Sequence, residues 1–298
     1  MKEVKFIILK KCFKSKLKIY KNIDDFFDAR SKLNSKKIAL VPTMGSIHEG
    51  HISLIKKAKS YAEIVIATIF INPIQFNSTN DYDSYPRNIE KDKKYLEKYG
   101  VDILFCPSRS EIYPEDFQTS VNVKLFSDVL EGKFRQGHME GVATIVTKLF
   151  NIIQPDFAIF GEKDFQQLLL IKSFVEDLNF PIKIISGETI RDDAGLALSS
   201  RNENLSKNEK KQANQIIKSL NLGIETIRLG EKKPQKIEEK IIDYLSNFSL
   251  IKIEYVSIRD LKNFQKISQV DRDIVILIAV FIGKTRLIDN VIYRKKNG

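Results

Sequence analysis

Apolar residues follow two different spacings through the first two-thirds of this chain. Continuous apolar runs of about four to eight residues are typical of buried strands, whereas apolar residues repeated every three or four positions are typical of one helix face. The runs predict strands at 38–41, 64–71, 103–106 and 157–160. The repeats predict helices at 52–62, 89–99, 141–153 and 165–178. Strands and helices therefore alternate along this part of the chain.

This alternation predicts parallel strands joined by helical crossovers, in a Rossmann-like, doubly wound α/β sheet. After residue 186 the pattern changes to long charged helices, at 207–229 and 234–245, and then to short strands that end near residue 291. We therefore predict a Rossmann-like domain in residues 1–188 and a smaller C-terminal α+β domain, acting as a lid, in residues 189–298. Doubly wound sheets bind ligands at the carboxyl ends of their strands, so candidate site residues are expected there.

Composition and charge exclude several classes of protein. The chain has 298 residues and is 43% hydrophobic, and its longest apolar runs have the length of strands, so we expect a globular protein without a membrane span. Its net charge of +11 comes from scattered lysines, which favours a solvated surface over a nucleic-acid interface. Residues 1–16 form a basic extension that resembles neither a signal peptide nor a transit peptide. Two distant cysteines, Cys12 and Cys106, favour a reducing, cytoplasmic compartment over a disulfide framework or a zinc site.

Two of the three histidines lie in one glycine-containing turn between a predicted strand and a predicted helix. The turn reads Val-Pro-Thr-Met-Gly-Ser-Ile-His-Glu-Gly-His over residues 41–51. A helix start offers unpaired backbone N–H groups and a positive dipole, which suit a phosphate, and Gly45 and Gly50 allow a ligand to approach closely. His48 and His51 share one helix face and can both point at a phosphate chain. The alternative is a polar helix cap, but the strand and glycine turn favour a site.

Three further polar clusters follow predicted strands or precede the second domain's helices. They read Asn-Pro-Ile-Gln-Phe at 72–76 with Tyr-Pro-Arg at 85–87, Gly-Glu-Lys-Asp-Phe-Gln-Gln at 161–167, and Gly-Leu-Ala-Leu-Ser-Ser-Arg-Asn at 195–202. Lys163 stands near a glycine and is well placed to reach a phosphate, and Arg201 with two neighbouring serines could bind phosphate oxygens. Each cluster could instead be a capped turn, with Asp164 as the cap of the next helix.

Together these motifs resemble one family of enzymes. They occur in the order and spacing of the pantothenate synthetases, the pantoate:beta-alanine ligases, and the resemblance runs from about residue 19 to the end, including Leu-Ile-Asp-Asn at 287–290. His-Glu-Gly-His at 48–51 is similar to the HxGH signature of the wider nucleotidyltransferase superfamily. The resemblance implies that ATP activates pantoate as an enzyme-bound pantoyl adenylate, with release of pyrophosphate. Beta-alanine would then displace AMP to form pantothenate. It also implies magnesium and a homodimer.

The resemblance further implies a role for each matching residue. The catalytic residues would be His51, His48 and Lys163, with His51 as proton donor when pyrophosphate leaves, because histidine titrates near neutral pH. The ATP site would comprise Met44, Gly45, Ser46, His48, His51, Gly161, Glu162, Lys163, Asp164, Ile190, Leu198, Ser199, Ser200 and Arg201. Pantoate and beta-alanine would be bound by Gln75, Gln167, Asn72, Arg135 and His138. Asp92 matches an acidic position linked to magnesium, with a solvent-facing helix carboxylate as the alternative.

The chain departs from the family pattern in the loop that carries the third histidine. Gln136 and Met139 stand where the family usually has proline and phenylalanine, so we expect the loop to contact substrate with reduced rigidity.

The sequence leaves two other functions as alternatives. Transfer of a nucleotidyl group to a phosphorylated acceptor would need basic residues where Gln75 and Gln167 stand. Nucleic-acid binding would rest on the net positive charge alone.

Overall fold

The computed structural model describes residues 16–33, 35–76, 79–83 and 85–295. The basic extension predicted at 1–16 lies outside these residues except for Lys16, as does Cys12. Across the described part of the chain, no helix is both long enough and apolar enough to cross a bilayer.

The first part of the chain forms a parallel sheet flanked by helices. Its strands are β1 (Lys18–Tyr20), β2 (Ile38–Thr43), β3 (Ile64–Ile69), β4 (Ile103–Phe105), β5 (Phe157–Gly161) and β6 (Lys183–Gly187). Its helices are α1 (Ile23–Ser31), α2 (Glu49–Ala58), α3 (Thr79–Asp83), α4 (Ile89–Lys98), α5 (Arg109–Ile112), α6 (Lys124–Ser127), α7 (Glu131–Phe134), α8 (His138–Ile153) and α9 (Phe165–Asp177). Two 3₁₀ turns, Pro73–Gln75 and Glu162–Asp164, follow β3 and β5.

The order of strands in this sheet is β1-β4-β3-β2-β5-β6, and every pairing is parallel. The chain progresses outward from β2 in one direction and from β5 in the other, so the sheet is doubly wound with its switch point between these two strands. The turns after β2 and β5 therefore meet at one edge of the sheet. The predicted Rossmann-like architecture is confirmed.

The last part of the chain combines helices with an antiparallel sheet, as predicted. The 3₁₀ turn Ser200–Asn204 leads into α10 (Lys207–Ala213), α11 (Gln215–Arg228) and α12 (Pro234–Ser246). The strands β7 (Ile251–Asp260), β8 (Ile274–Ile282) and β9 (Thr285–Tyr293) pair in that order.

Several details of the predicted elements are wrong for identifiable reasons. The helix predicted at 207–229 is two helices that meet at Asn214. The final strands are nine or ten residues long instead of short. Two strands were not predicted: β1 has only three residues and an exposed pattern, and β6 begins at an exposed lysine, so neither shows a clear apolar run.

Apolar packing joins the two parts of the chain. The core around α8 and β5 includes Phe264, Val275 and Leu277, which belong to the C-terminal sheet region. A separate core fills the space between α11, α12 and the antiparallel sheet. The division of the chain at residue 188 stays a prediction, and the last parallel strand ends at Gly187.

Candidate active site

A cavity of about 250 Å³ opens at the carboxyl ends of β2 and β5 and is bordered on its other side by β7, β8 and β9. Most of the predicted site residues line it: Met44, His48, His51, Gln75, Arg135, His138, Gly161, Lys163, Asp164, Gln167, Ile190, Leu198, Ser199, Ser200 and Arg201. Five predicted residues do not line this cavity, namely Gly45, Ser46, Asn72, Asp92 and Glu162. The structure thus brings together motifs that are up to about 150 residues apart in the sequence.

The two histidines cap α2 and also face the cavity. Nδ1 of His48 accepts the Gly50 backbone N–H at 3.1 Å, and Nδ1 of His51 accepts the His48 backbone N–H at 3.3 Å. Their ring centroids are 4.1 Å apart. A neutral imidazole carries one N–H, so an accepting Nδ1 leaves the proton on Nε2 in both rings. The helix cap and the site are therefore compatible, because capping fixes two Nε2–H donors.

Burial lowers the pKa of both imidazoles. The pKa of His48 falls to about 4, with the positive charge of Lys163 adding to the effect, and that of His51 falls to about 3, with His48 adding to it. Both rings are therefore neutral at pH 7 in the ligand-free protein. The expectation that His51 titrates near neutral pH is wrong for this state. A bound polyanion would raise both pKa values, since a nearby negative charge favours the protonated form.

Asp92 on α4 organises the turn that precedes His48. Asp92 is only 2% exposed, and its two carboxylate oxygens accept the backbone N–H groups of Ser46 at 2.9 Å and Ile47 at 2.7 Å. Gly45 and Ser46 have left-handed φ angles of 82° and 51°, a conformation that needs such support at a serine. The solvent-facing alternative for Asp92 is wrong.

Asp92 does not line the cavity, and each of its oxygens accepts a backbone N–H, so the role that the structure gives it is to hold the turn. Within the residues that the structure describes, no three His, Cys, Asp or Glu side chains form a group that could hold a metal ion.

Gln75 is held through both its main chain and its side chain. Its carbonyl accepts Nδ1–H of His138 at 2.7 Å and a guanidinium N–H of Arg135 at 3.2 Å. Its Oε1 accepts an N–H of Asn72 at 3.2 Å, and its Nε2 lies 2.8 Å from the sulfur of Met44. Asn72 is 1% exposed and does not line the cavity. It lies behind Gln75 and can affect a bound substrate only through its hydrogen bond to Gln75.

Arg135 and His138 lie in the loop that also carries Gln136 and Met139, and they contact each other and Gln75. Burial lowers the pKa of His138 to about 3, helped by Arg135, and Nε2 of the neutral ring accepts from the guanidinium at 3.1 Å. Burial likewise lowers the pKa of Arg135 to about 10, which leaves it protonated at neutral pH. Met139 is 2% exposed and adds an apolar wall to the cavity.

Lys163 and Asp164 form an ion pair at 3.3 Å before α9. Asp164 makes no capping hydrogen bond to α9, so the alternative in which it is merely a cap is wrong. Burial pushes the pKa of Asp164 upward, but Lys163 and Arg201 more than offset this, and the net pKa lies below its ordinary value. Asn290 on β9 donates to the carbonyls of Glu162 and Lys163, both at 2.9 Å. The C-terminal sheet therefore fixes the backbone that carries the Lys163 ammonium.

The segment predicted to close over the phosphates borders the cavity from the second part of the chain. The Ser199 hydroxyl accepts the Arg201 backbone N–H at 3.3 Å, so the capping interpretation is correct for this serine. The Ser200 hydroxyl lies 3.1 Å from that of Tyr85, and Arg201 pairs with Asp81 at 3.1 Å. These contacts attach the segment to α3 and the residues that follow it.

Two part-buried ion pairs near the cavity were not predicted from the sequence. Glu131 lines the cavity, pairs with both terminal nitrogens of Arg286 at 2.8 and 2.7 Å, and accepts the Tyr255 hydroxyl at 2.8 Å. Burial raises the pKa of Glu131, but Arg286 and Tyr255 lower it by more than this. The net pKa therefore lies below its ordinary value. Arg191 contacts Asp289 at 2.6 and 2.8 Å. The partners are 155 and 98 residues apart, so no local motif signals either pair.

Comparison with known proteins identifies the family of this chain. The family model described as Pantoate-beta-alanine ligase matches residues 18–292. A pantothenate synthetase of Caldicellulosiruptor saccharolyticus is 48% identical over 261 residues, which cover 88% of this chain and 93% of that protein. The crystal structure of pantothenate synthetase from Thermus thermophilus has a TM-score of 0.87 and 35% identity, covering 92% of this chain and 98% of that one.

A third comparison includes bound ligands. The pantoate-beta-alanine ligase of Francisella tularensis, solved as a complex with beta-gamma ATP and beta-alanine, has a TM-score of 0.76 and 40% identity, covering 95% of this chain and 99% of that one. Both the sequence and the fold therefore match over nearly the whole described length. This chain belongs to the pantoate-beta-alanine ligase family, the pantothenate synthetases.

Proposed function

We propose that this cleft joins pantoate to beta-alanine at the expense of ATP, through an enzyme-bound pantoyl adenylate. In the first step a carboxylate oxygen of pantoate attacks the α-phosphorus of ATP, and the bond from that phosphorus to pyrophosphate breaks. In the second step the beta-alanine amine attacks the activated carbonyl carbon, AMP leaves with the bonding electrons, and the nitrogen loses a proton. The main support is that the histidine pair, Lys163 and Gln75 line one cavity.

The triphosphate is proposed to lie against the amino end of α2. There it would meet the Nε2–H groups of His48 and His51, and the Lys163 ammonium would approach from the turn after β5. Helix dipole, neutral donors and ammonium together align the phosphorus for attack and stabilise the charge that moves onto pyrophosphate. Arg201 and the two serines before it would close over the phosphates and exclude water from the adenylate.

Pantoate is proposed to bind between Gln75 and Gln167. Because Oε1 of Gln75 already accepts from Asn72, this amide offers N–H donors to the substrate, which suits hydroxyl and carboxylate oxygens. Val142 and Val146 on α8 also line the cavity and would pack against the methyl groups of pantoate. One wall of the pocket thus matches the polar groups of this acid and another matches its carbon skeleton.

We propose that His51 acts as a proton donor only in the complex with ATP. The free ring is neutral at pH 7, because its pKa is lowered to about 3. The negative charge of the triphosphate would raise this pKa and allow protonation at Nδ1, with loss of the hydrogen bond that Nδ1 accepts from the His48 backbone N–H. Until then Nε2–H serves as a hydrogen-bond donor.

Magnesium, assembly and location complete the proposal. Mg²⁺ would arrive with the nucleotide and be held by its phosphate oxygens, which are the usual ligands at nucleotide sites, and not by Asp92. A homodimer is proposed from the family resemblance, and a cytoplasmic location from the cysteine content. Nucleic acid is not proposed as a partner, because the lysines are scattered along the chain.

Release of pyrophosphate from ATP tests this function. The purified protein should release pyrophosphate only when pantoate is present, because the pantoate carboxylate is the nucleophile. Without beta-alanine the release should stop near one equivalent per site, since the adenylate stays bound; with beta-alanine it should continue. Steady release from ATP alone, or equal release with a phosphorylated acceptor in place of pantoate, would contradict the proposal.

Substitution of Gln75 by alanine should weaken pantoate binding selectively. Loss of its amide donors is expected to raise the KM for pantoate by roughly five- to thirtyfold, the effect of about 1–2 kcal/mol, and to leave the KM for ATP within about twofold. Both constants can be measured by pyrophosphate release, with Gln235→Ala, an exposed glutamine on α12, as the control. Equal loss of affinity for both substrates would show that Gln75 does not select pantoate.

A further inference from the structure

We propose that Tyr113, which follows α5 and does not line the cavity, is a positioning residue that sets the amide of Gln75 for pantoate. The inference rests on the proposed role of Gln75. It follows from a chain of hydrogen bonds that begins at the Tyr113 hydroxyl, passes through Asn72 and ends at the Gln75 side chain.

The orientation of both amides follows from a backbone carbonyl. Nδ2 of Asn72 lies 3.0 Å from the carbonyl oxygen of Gly141. A carbonyl oxygen can only accept, so the Asn72 atom facing it must be the nitrogen. The same nitrogen contacts the Gln75 amide at 3.2 Å, and that partner must therefore be Oε1. The Nε2 of Gln75 is consequently the atom turned toward Met44 and the cavity.

Gly141 brings the two segments close enough for this chain to form. A Cβ on Gly141 would lie 3.0 Å from the backbone nitrogen of Gln75 and 3.0 Å from the carbonyl carbon of Ile74. The start of α8 therefore packs directly against the 3₁₀ turn that carries Gln75. Asn72 fills the buried space beside this contact and is 1% exposed.

Tyr113 completes the chain at Asn72 Oδ1, which its hydroxyl approaches at 2.9 Å. Because Nδ2 of Asn72 is committed to two acceptors, the remaining oxygen needs a donor, and the hydroxyl provides it. Burial raises the pKa of Tyr113, so the hydroxyl keeps its proton over the physiological range. The ring packs against Phe70 and Phe117, with centroids at 6.0 and 5.0 Å, and phenylalanine could keep these contacts.

Loss of the hydroxyl would act on Gln75 through Asn72. The Asn72 oxygen would be left buried without its donor, which is costly. The Gly141 carbonyl would still keep Nδ2 on its side, so the Asn72 amide would not turn over but would lose one of its three hydrogen bonds. The remaining contact with Gln75 Oε1 would be held less firmly, the Gln75 amide would depart from the orientation that offers Nε2 to pantoate, and binding would weaken.

Tyr113→Phe tests the inference through separate constants for the two substrates. Measured by pyrophosphate release, the KM for pantoate should rise roughly five- to thirtyfold, while the KM for ATP should stay within about twofold. In a Gln75→Ala background the same change should add less than about twofold, because the residue through which it acts is gone. Tyr244→Phe is the matched control: it removes a hydroxyl that donates to Gln215 at 2.9 Å on α11, and it should change neither KM.

Three results would overturn the inference. An unchanged KM for pantoate in folded Tyr113→Phe would show that the hydroxyl does not position Gln75. An equal rise of both constants, or a full effect in the Gln75→Ala background, would indicate general loss of packing. In these cases the wild-type protein still needs pantoate to release pyrophosphate, and the proposed function stands. If the wild-type protein released pyrophosphate without pantoate, both the inference and the proposed function would be wrong.

Discussion

His51→Ala is expected to slow pantoyl adenylate formation by about 10²–10⁴-fold, the usual effect of a lost proton donor, while the protein stays folded. The Nε2–H of His51 faces the cavity, and its direction is fixed because Nδ1 accepts the His48 backbone N–H. Alanine removes both interactions. The lost cap costs about 0.5–2 kcal/mol of stability, which should not unfold a protein with extensive hydrophobic cores. Single-turnover release of pyrophosphate and thermal unfolding measure the two effects separately.

His51→Asn separates the two interactions of this side chain. An asparagine oxygen can take the place of Nδ1 and accept the backbone N–H, but no donor then reaches the position of Nε2. This variant should therefore unfold near the wild-type temperature and remain as slow as the alanine variant. Recovery of the rate in His51→Asn would show that the helix cap matters for the reaction and the Nε2–H does not. Collapse of both variants would contradict a site at an open cleft.

The histidine turn could be predicted from sequence because its signals are local. A strand, a glycine turn and a helix start follow one another within residues 38–58, and each has its own apolar pattern. The resemblance then assigned partners to His48 and His51 at distant positions. Local pattern failed where it carries little information, as in β1, which has three residues and an exposed pattern.

The electrostatic state of the site could not be predicted in this way, because it depends on packing between distant segments. Asp92 is 46 residues from Ser46, whose N–H it accepts, and nothing around Asp92 in the sequence shows that its helix face is buried. The histidine pKa values fall because the rings are buried and because Lys163, which is distant in the sequence, lies near them. The pair of Glu131 and Arg286 likewise forms only when α7 meets β9.

Lys163→Met is expected to lower kcat by about 10²–10³-fold, with little change in the KM for pantoate, because an electrostatic donor aimed at developing charge is lost. The Lys163 side chain is 21% exposed, and its ammonium is held beside the cavity by Asp164, which lies 3.3 Å away. Methionine has a similar length and removes the charge. Steady-state release of pyrophosphate gives kcat, and Lys207→Met, which removes an exposed lysine at the start of α10, controls for the change in net charge.

The division between kcat and KM tells what Lys163 does. An interaction made equally with bound ATP and with the transition state would raise the KM for ATP and leave kcat unchanged. The geometry argues for the other outcome, because Asp164 already partly neutralises the ammonium before any substrate binds, and Asn290 holds its backbone from β9. A group fixed in this way cannot follow the phosphates as they move. We therefore expect the ammonium to stabilise the phosphates most in the transition state. A loss confined to the KM for ATP would show instead that it interacts equally with bound ATP and with the transition state.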